Sequence, residues 1–383
     1  MQEHSQTETN TETDTFPRTV VVVGGRRMAR GVVMWMLLQN RHVTLIEENP
    51  AIAELAHKDI TAFFESRVER EIINYAQASK MQDLLTIQAD YSGIEDADFV
   101  IECGMEDMGI KRNIYTNLAA SVGEQTIIAS NTSSLEISRL AELVDNPGRF
   151  LGTHFFYPVA ANPIVELIRG NKTDPGMLRK LKTFFADHGK NPVITKDSPG
   201  FVINRFVGVY INTAHWLMDE LQLSAASIDE VAIELFGSRQ GPMEVSNWLG
   251  THNVYRDQVN LSKLGNLYAP SESLRLHGEN REPIRLGDAE AISEGQQKTI
   301  RESLLGSVFL SILQILDEGI ATAEDVDLCA SLGLRFEHAP CALMDSLGKA
   351  AVQELVQPIL DLYGDGMPMT IEDVGHFCQT TND

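Results

Sequence analysis

His154 closes the apolar run RFLGTHFF (149–156), and Glu166 follows twelve residues later inside the equally apolar IVELI. An acid in such a stretch must be paired or hydrogen-bonded if it is buried. A histidine held by a carboxylate is the usual arrangement for a general base near neutral pH. Spacing alone also admits a structural histidine and an unrelated glutamate. A second candidate set lies in TVVVVGGRRMARG (19–31), where a run of valines enters a glycine turn. A dinucleotide fingerprint, G-x-G-x-x-G, uses its glycines for the turn, for close approach to the pyrophosphate and for helix packing. Here those places hold Gly24, Arg26 and Ala29. The stem of Arg26 either fills the phosphate approach or brings a guanidinium to the phosphate itself. Glu47, at the end of the next apolar run, can hold a ribose 2′-hydroxyl and disfavours a 2′-phosphate, so NAD is expected over NADP.

The first half of the chain alternates strand and helix signals. Strands are read at 19–24, 43–49, 98–104, 126–132 and 149–156. Helices are read at 28–40, 51–86 (broken near Ala78–Ser79), 108–122 and 135–144. This pattern predicts an α/β fold, a Rossmann-type doubly wound parallel sheet with the GG turn at its ligand-binding edge. After VITKDSPGFVINR (193–205) strand signals stop, and an all-α C-terminal domain is expected. It contains a duplication, because residues 218–250 align with 316–348 without a gap at an offset of 98. Asp219, Asp229, Pro242 and Gly250 fall on Asp317, Asp327, Pro340 and Gly348. Shared acidic, Pro and Gly positions over so short a window point to a repeated helical module. Residues 266–296 read as a polar, irregular connector. The expected divisions are a disordered tail (1–17), the dinucleotide-binding domain (18–197), the first repeat with its connector (198–296) and the second repeat (297–383).

The 383 residues carry a net charge of −23. A uniformly acidic surface argues against nucleic acid and anionic membranes as partners. No apolar run is read as approaching the roughly 20 residues that span a bilayer. The four cysteines form no CxxC pair and suit neither zinc nor a disulfide framework, so no metal is expected. Residues 1–17 lack the basic and apolar parts of a targeting signal, and a cytoplasmic protein is expected.

Four motifs occur in a characteristic order: ASNTSSLEISRLAE (129–142), GTHFFYP (152–158), KDSPGFVINR (196–205) and the helical repeats, with GPMEVSNWLG the better copy. With them the chain resembles a 3-hydroxyacyl-CoA dehydrogenase over roughly residues 19–350. The resemblance implies His154 as catalytic base and Glu166 as its orienting carboxylate. It implies that Ser133 and Asn204 contact the reacting oxygen and the acyl group. Gly24, Arg26, Met28 and Glu47 would hold the dinucleotide, with Glu106, Lys111 and Asn131 lining its ribose and nicotinamide end. The implied cofactor is NAD and the implied partner an acyl thioester, with CoA the expected carrier.

The departures matter as much. Tyr157 stands where the family has Asn, beside the reacting centre, so it is a substrate-contacting candidate of altered chemistry. The helical pair that is Lys-rich in the family is acidic here (63–83), leaving Lys58, Arg67 and Arg70. The leading expectation is NAD-dependent interconversion of a 3-hydroxyacyl and a 3-oxoacyl thioester. The alternatives are a non-redox acyl-thioester enzyme using the same dyad and a non-catalytic binding protein. A duplicated module could pair within one chain what shorter relatives pair between two, so a monomer or a homodimer is expected.

Overall fold

The computed structural model describes residues 16–364 and 366–378. Apart from Phe16 and Pro17, the expected tail lies outside the described residues. The first half runs β1 (Thr19–Val23), α1 (Arg27–Leu38), β2 (His42–Ile46), α2 (Pro50–Glu69), α3 (Tyr75–Gln82), β3 (Leu85–Gln88) and β4 (Phe99–Glu102). It continues with α4 (Met108–Ala119), β5 (Ile127–Ser130), α5 (Ile137–Leu140), β6 (Phe150–Phe155), β7 (Ile164–Arg169), α6 (Pro175–Asp187) and β8 (Asn191–Lys196). The eight strands lie in the order β3-β2-β1-β4-β5-β6-β7-β8. The chain therefore reverses direction across the sheet between β1 and β4, the crevice where ligands bind in such folds.

The two faces of the sheet follow from the period of two along each strand. Val20 and Val22 of β1 pack with Trp35, Phe64 and Phe185 on one side. Val21 and Val23 pack with Tyr115, Leu118 and Ile137 on the other. The sheet is not wholly parallel, which corrects the sequence expectation. All pairs up to β6 are parallel, but β6 and β7 are antiparallel, and β8 follows β7. The connection 156–163 is too short for a crossover, which needs about a dozen residues or more, so β7 must return beside β6 in the opposite sense.

Two further local expectations are corrected. The helix read over 51–86 stops at Glu69, with Glu71 at a φ of +57°. It restarts at a capping box, in which Asn74 accepts from the Gln77 backbone and Gln77 returns the bond. Its read end is β3, a short edge strand without clear alternation.

The second half is helical: α7 (Ile203–Leu221), α8 (Ala225–Phe236), α9 (Pro242–Leu249), α10 (Thr251–Leu261), α11 (Glu272–Asn280), α12 (Glu294–Asp317), α13 (Ala323–Leu328), α14 (Pro340–Leu347) and α15 (Lys349–Tyr363). The connector is thus not irregular throughout, because Ser271 caps α11 within it. The division expected after residue 197 falls in the turn between β8 and α7, whereas that after 296 falls inside α12. Among the described residues α12 is the one helix long and apolar enough to cross a membrane, a feature the sequence reading passed over. In the structure 67% of its apolar window is buried.

The two repeats share one apolar core. Their elements correspond at the offset of 98: α8 with α13, α9 with α14, and α10 with the start of α15. Asp229 accepts from the Met243 and Glu244 amides, and Asp327 accepts from the equivalent Cys341 and Ala342 amides. Gly250 and Gly348 both turn the chain at positive φ, +88° and +81°. The copies touch where Phe236 stacks on Phe336, ring centroids 4.8 Å apart, and where the His338 amide donates to the Phe236 carbonyl.

Candidate active site

The antiparallel return of β7 sets His154 directly opposite Glu166 in the ladder. Cross-strand partners project to the same face. His154 Nδ1 donates to Glu166 Oε2 at 2.6 Å, and Glu166 is fully buried. The other oxygen, Oε1, accepts from the amides of Val202 and Ile203 at 2.9 and 3.1 Å. Those amides open α7, so its partial positive end faces the buried carboxylate. Glu166 is thereby fixed at both oxygens, and a carboxylate that only accepts places the imidazole proton on Nδ1. Nε2 is left as the basic nitrogen. The ring is further set by Phe156, edge-on at 4.4 Å, and Phe201 at 5.7 Å.

Ser133 and Asn204 come to the same place from distant elements. Asn204 lies in the first turn of α7, beside the amide that holds Glu166. Its Nδ2 donates to the Ser133 carbonyl over 3.4 Å. Glu106 accepts from Thr132 Oγ1 at 2.8 Å and from the Ser133 amide at 2.7 Å, which pins the loop after β5. The Ser133 hydroxyl reaches Glu106 only at 3.4 Å. Asn131 is turned inward, accepting from the Phe155 amide at 3.0 Å and so tying β5 to the strand that carries His154.

Lys111 is 1% exposed and lies beneath the site. Its Nζ donates to both oxygens of Glu102 at 2.8 Å and lies 3.6 Å from Glu106. Glu102 also accepts from Tyr115, Ser130 and the Gly104 amide. Lys111 thus supports the loop that carries Glu106, and its direct partners are carboxylates of this chain.

The cofactor candidates surround a cleft of about 610 Å³ at the ends of β1, β2 and β4. Gly24 turns at φ +100°, and a Cβ there would lie 2.9 Å from the Cys103 carbonyl, so only glycine fits. Glu47 accepts from the Gly25 amide at 2.7 Å and the Asn49 amide at 2.9 Å, which aims it across the cleft edge. Arg26 precedes α1 without capping it, so no side chain of the N-cap occupies the amides of that first turn. The Arg26 side chain is exposed and extends to Met105 Sδ at 3.9 Å. Met28 is half-buried against the sheet core. Burial and Glu48 push the Tyr91 hydroxyl up to about 12, so it lines this cleft as a neutral donor. Burial, with Glu102 adding to it, also pushes the Cys103 thiol up, which keeps it protonated and unreactive.

A glycine turn, an acid at the second strand end and uncapped helix amides fit a dinucleotide at this cleft, and Arg26 is among the side chains that line it. The sequence profile of the 3-hydroxyacyl-CoA dehydrogenase NAD binding domain matches residues 19–198, and that of the family's C-terminal domain matches residues 200–276. The chain belongs to the 3-hydroxyacyl-CoA dehydrogenase family. Its first half is the family's NAD-binding domain, and the family consists of NAD-dependent oxidoreductases.

A fatty acid oxidation complex subunit alpha from Shewanella loihica is 29% identical over 379 residues, covering 90% of this chain and 53% of that one. The chain therefore spans about half the length of the curated relatives it matches. A 3-hydroxybutyryl-CoA dehydrogenase from Escherichia coli has the same fold, with a TM-score of 0.83 at 20% identity, over 94% of this chain and 98% of that one. An (S)-3-hydroxybutyryl-CoA dehydrogenase from Ralstonia eutropha is 28% identical with a TM-score of 0.66, over 69% of this chain and 94% of that one.

Several contacts at this dehydrogenase-family site escaped the sequence reading. Asn260 of α10 donates to the Ser134 carbonyl at 2.7 Å and joins the helical half to the Ser133 loop. Arg27 lies 3.7 Å above the Tyr157 ring, and Trp248 of α9 stands 6.1 Å from that ring. Lys190, its pKa lowered to about 8 by burial, donates to the Val159 and Asn162 carbonyls and holds the loop that carries Tyr157. None of these follows a spacing rule, because each contact joins segments far apart in the chain.

Proposed function

We propose that this protein oxidises a 3-hydroxyacyl thioester, with CoA as carrier, or reduces the matching 3-oxoacyl thioester. The observation that carries the reading is the His154–Glu166 pair, buried, fixed at both carboxylate oxygens and set beside Ser133 and Asn204. NAD, when bound, supplies the hydride acceptor. Glu47 and the turn at Gly24 would hold its adenosine half, and Glu106 with the Ser133 loop would border the reacting end. His154 Nε2 takes the proton of the 3-hydroxyl. Glu166 keeps the ring in the tautomer that can do so and stabilises the imidazolium that results. The Ser133 hydroxyl and the Asn204 amide, each with only a long internal contact, are free to donate to the oxygen as it becomes a carbonyl. Met28, Asn131 and Lys111 act here as support for these groups. The internal pairing of two helical copies favours a monomer.

The test is direct. Reduction of NAD is followed by absorbance with (S)-3-hydroxybutyryl-CoA as substrate, and turnover is expected with NAD in preference to NADP. Absence of turnover in both directions and with both cofactors would overturn the reading.

A further inference from the structure

Arg205 closes the motif KDSPGFVINR and takes no part in the proton transfer. It is 1% exposed. Its Nη1 and Nη2 donate to the Glu318 carboxylate at 2.9 and 2.5 Å, a two-pronged ion pair with the end of α12. Its Nε donates to the Tyr268 hydroxyl at 2.9 Å, and Nη1 also reaches Ser198 Oγ at 3.4 Å. Three parts of the chain therefore meet on one buried cation: the turn before α7, the connector and the second copy. At the offset of 98, Glu220 matches Glu318, but Ser303 matches Arg205. A serine cannot form the reciprocal ion pair, so this contact lies outside the duplicated pattern and stands on the side of the dyad.

The second copy also grips the start of that turn. The Lys196 amide, at the end of β8, donates to the Ile320 carbonyl at 3.0 Å, and Lys196 Nζ donates to the Glu318 carbonyl at 3.0 Å. Between the two holds the turn passes through positive φ at Gly200 (+73°) and Phe201 (+51°). A residue other than glycine persists in that region where its surroundings fix it. The turn delivers the Val202 and Ile203 amides to Glu166, and Asn204 follows. The segment Cys329–Gly333 of the second copy backs both partners. A Cβ on Gly333 would sit 3.1 Å from Ile203 Cδ1 and 3.8 Å from Ile164 Cγ1, and Ile164 begins the strand that carries Glu166.

Resting on the proposed dehydrogenase activity, we propose that Arg205 and Glu318 are positioning residues for the dyad, through which the second helical copy holds the active site in register. The ion pair clamps the first turn of α7 to the end of α12. The clamp keeps the Val202 and Ile203 amides on Glu166 and Asn204 beside the Ser133 loop. Without it the turn can relax from its left-handed path, and Glu166 loses the donors that fix its second oxygen. The imidazole then faces a carboxylate free to rotate, and its Nε2 is no longer held at one place.

The test uses the whole chain and places the change at Glu318, which is exposed, because a variant of the buried Arg205 can fail to fold. Asp327→Ala is the comparison: it removes a cap within the second copy and leaves the clamp in place. Amide hydrogen exchange is followed by mass spectrometry at Val202–Ile203 and at Cys341–Ala342. Glu318→Ala should speed exchange at the first pair by about tenfold and leave the second unchanged, and Asp327→Ala should do the reverse. With (S)-3-hydroxybutyryl-CoA, Glu318→Ala should lower kcat by about tenfold to a hundredfold, while KM for NAD stays within about twofold. Glu318→Gln, which keeps one acceptor for the guanidinium, should recover part of the rate. Unchanged exchange at Val202–Ile203 in Glu318→Ala overturns the proposal. So does faster exchange there with a wild-type kcat, or an equal loss of kcat in Asp327→Ala. Exchange needs no turnover, so an inactive wild-type protein with the expected exchange pattern would overturn the dehydrogenase reading and leave the clamp standing.

Discussion

At the scale of single residues, the chemistry rests on which proton sits where. His154→Gln removes the proposed base, and activity should fall by about 10²–10⁴-fold with folding retained. Glu166→Gln asks a finer question. Its amide oxygen can still accept from the α7 amides, but its NH₂ would face Nδ1 and force the imidazole proton onto Nε2. Turnover should then fall by about as much as in His154→Gln, and a near-normal rate would show that the tautomer is not set by this pair. Arg26 poses the opposite problem, a side chain where a glycine is expected. It crosses the cleft mouth to Met105 and has no carboxylate partner among the described residues. Arg26→Gly is therefore expected to bind NADH more tightly, by about tenfold on the binding free-energy scale. Fluorescence titration decides this, and weaker binding in the variant would make the guanidinium a phosphate ligand instead.

At the scale of elements, helix ends carry the argument. The opening of α7 binds a buried carboxylate, so positioning the partner of His154 and starting the helical half are one event. The repeats show the same device twice, since Asp229 caps α9 and Asp327 caps α14. Asp229→Ala and Asp327→Ala should each lower stability by about 1–2 kcal/mol, the usual cost of losing a side-chain cap. Chemical denaturation of the two variants checks this. If one costs nothing, the copies are alike in path but not in energetics. A strand pair also acts at this scale: the antiparallel register of β7 on β6 sets Glu166 opposite His154 on the same face.

At the scale of the whole molecule, one core joins both helical copies, and it holds a buried histidine. His215 lies between Ser273 and Ser246, and burial, with His277 adding to it, lowers its pKa to about 3. The unfolded chain takes up a proton near 6.5, which the folded chain refuses until about 3. Between those values the unfolded state binds more protons, so stability is present above about 6.5 and is lost as pH falls through this window. For one such group the slope approaches about 1.4 kcal/mol per pH unit. Other groups titrate there too, so the measurement is a difference. His215→Gln should have a shallower loss of stability than wild type between pH 6.5 and 4, and parallel curves would contradict the assignment.

Much of this protein was legible in residue order alone. Valine runs, their alternation with amphipathic helices and the 98-residue offset are local or periodic signals, and each reports which face of an element must be buried. They were enough for the Rossmann-type half, the helical half and the duplication. Motif order named His154, Glu166, Ser133 and Asn204 together. The sense of β7 was not legible, because both senses use the same apolar residues and only the shortness of the connection decides between them. Nor was Lys111's place beneath the site, since the spacing of nine residues does not say that its side chain folds back onto the buried Glu102 at the end of β4. The contacts of Arg27 with Tyr157 and of Asn260 with Ser134 join segments more than a hundred residues apart. The first pair lies within the Rossmann-type half and the second joins the two halves, and tertiary packing alone brings either within reach.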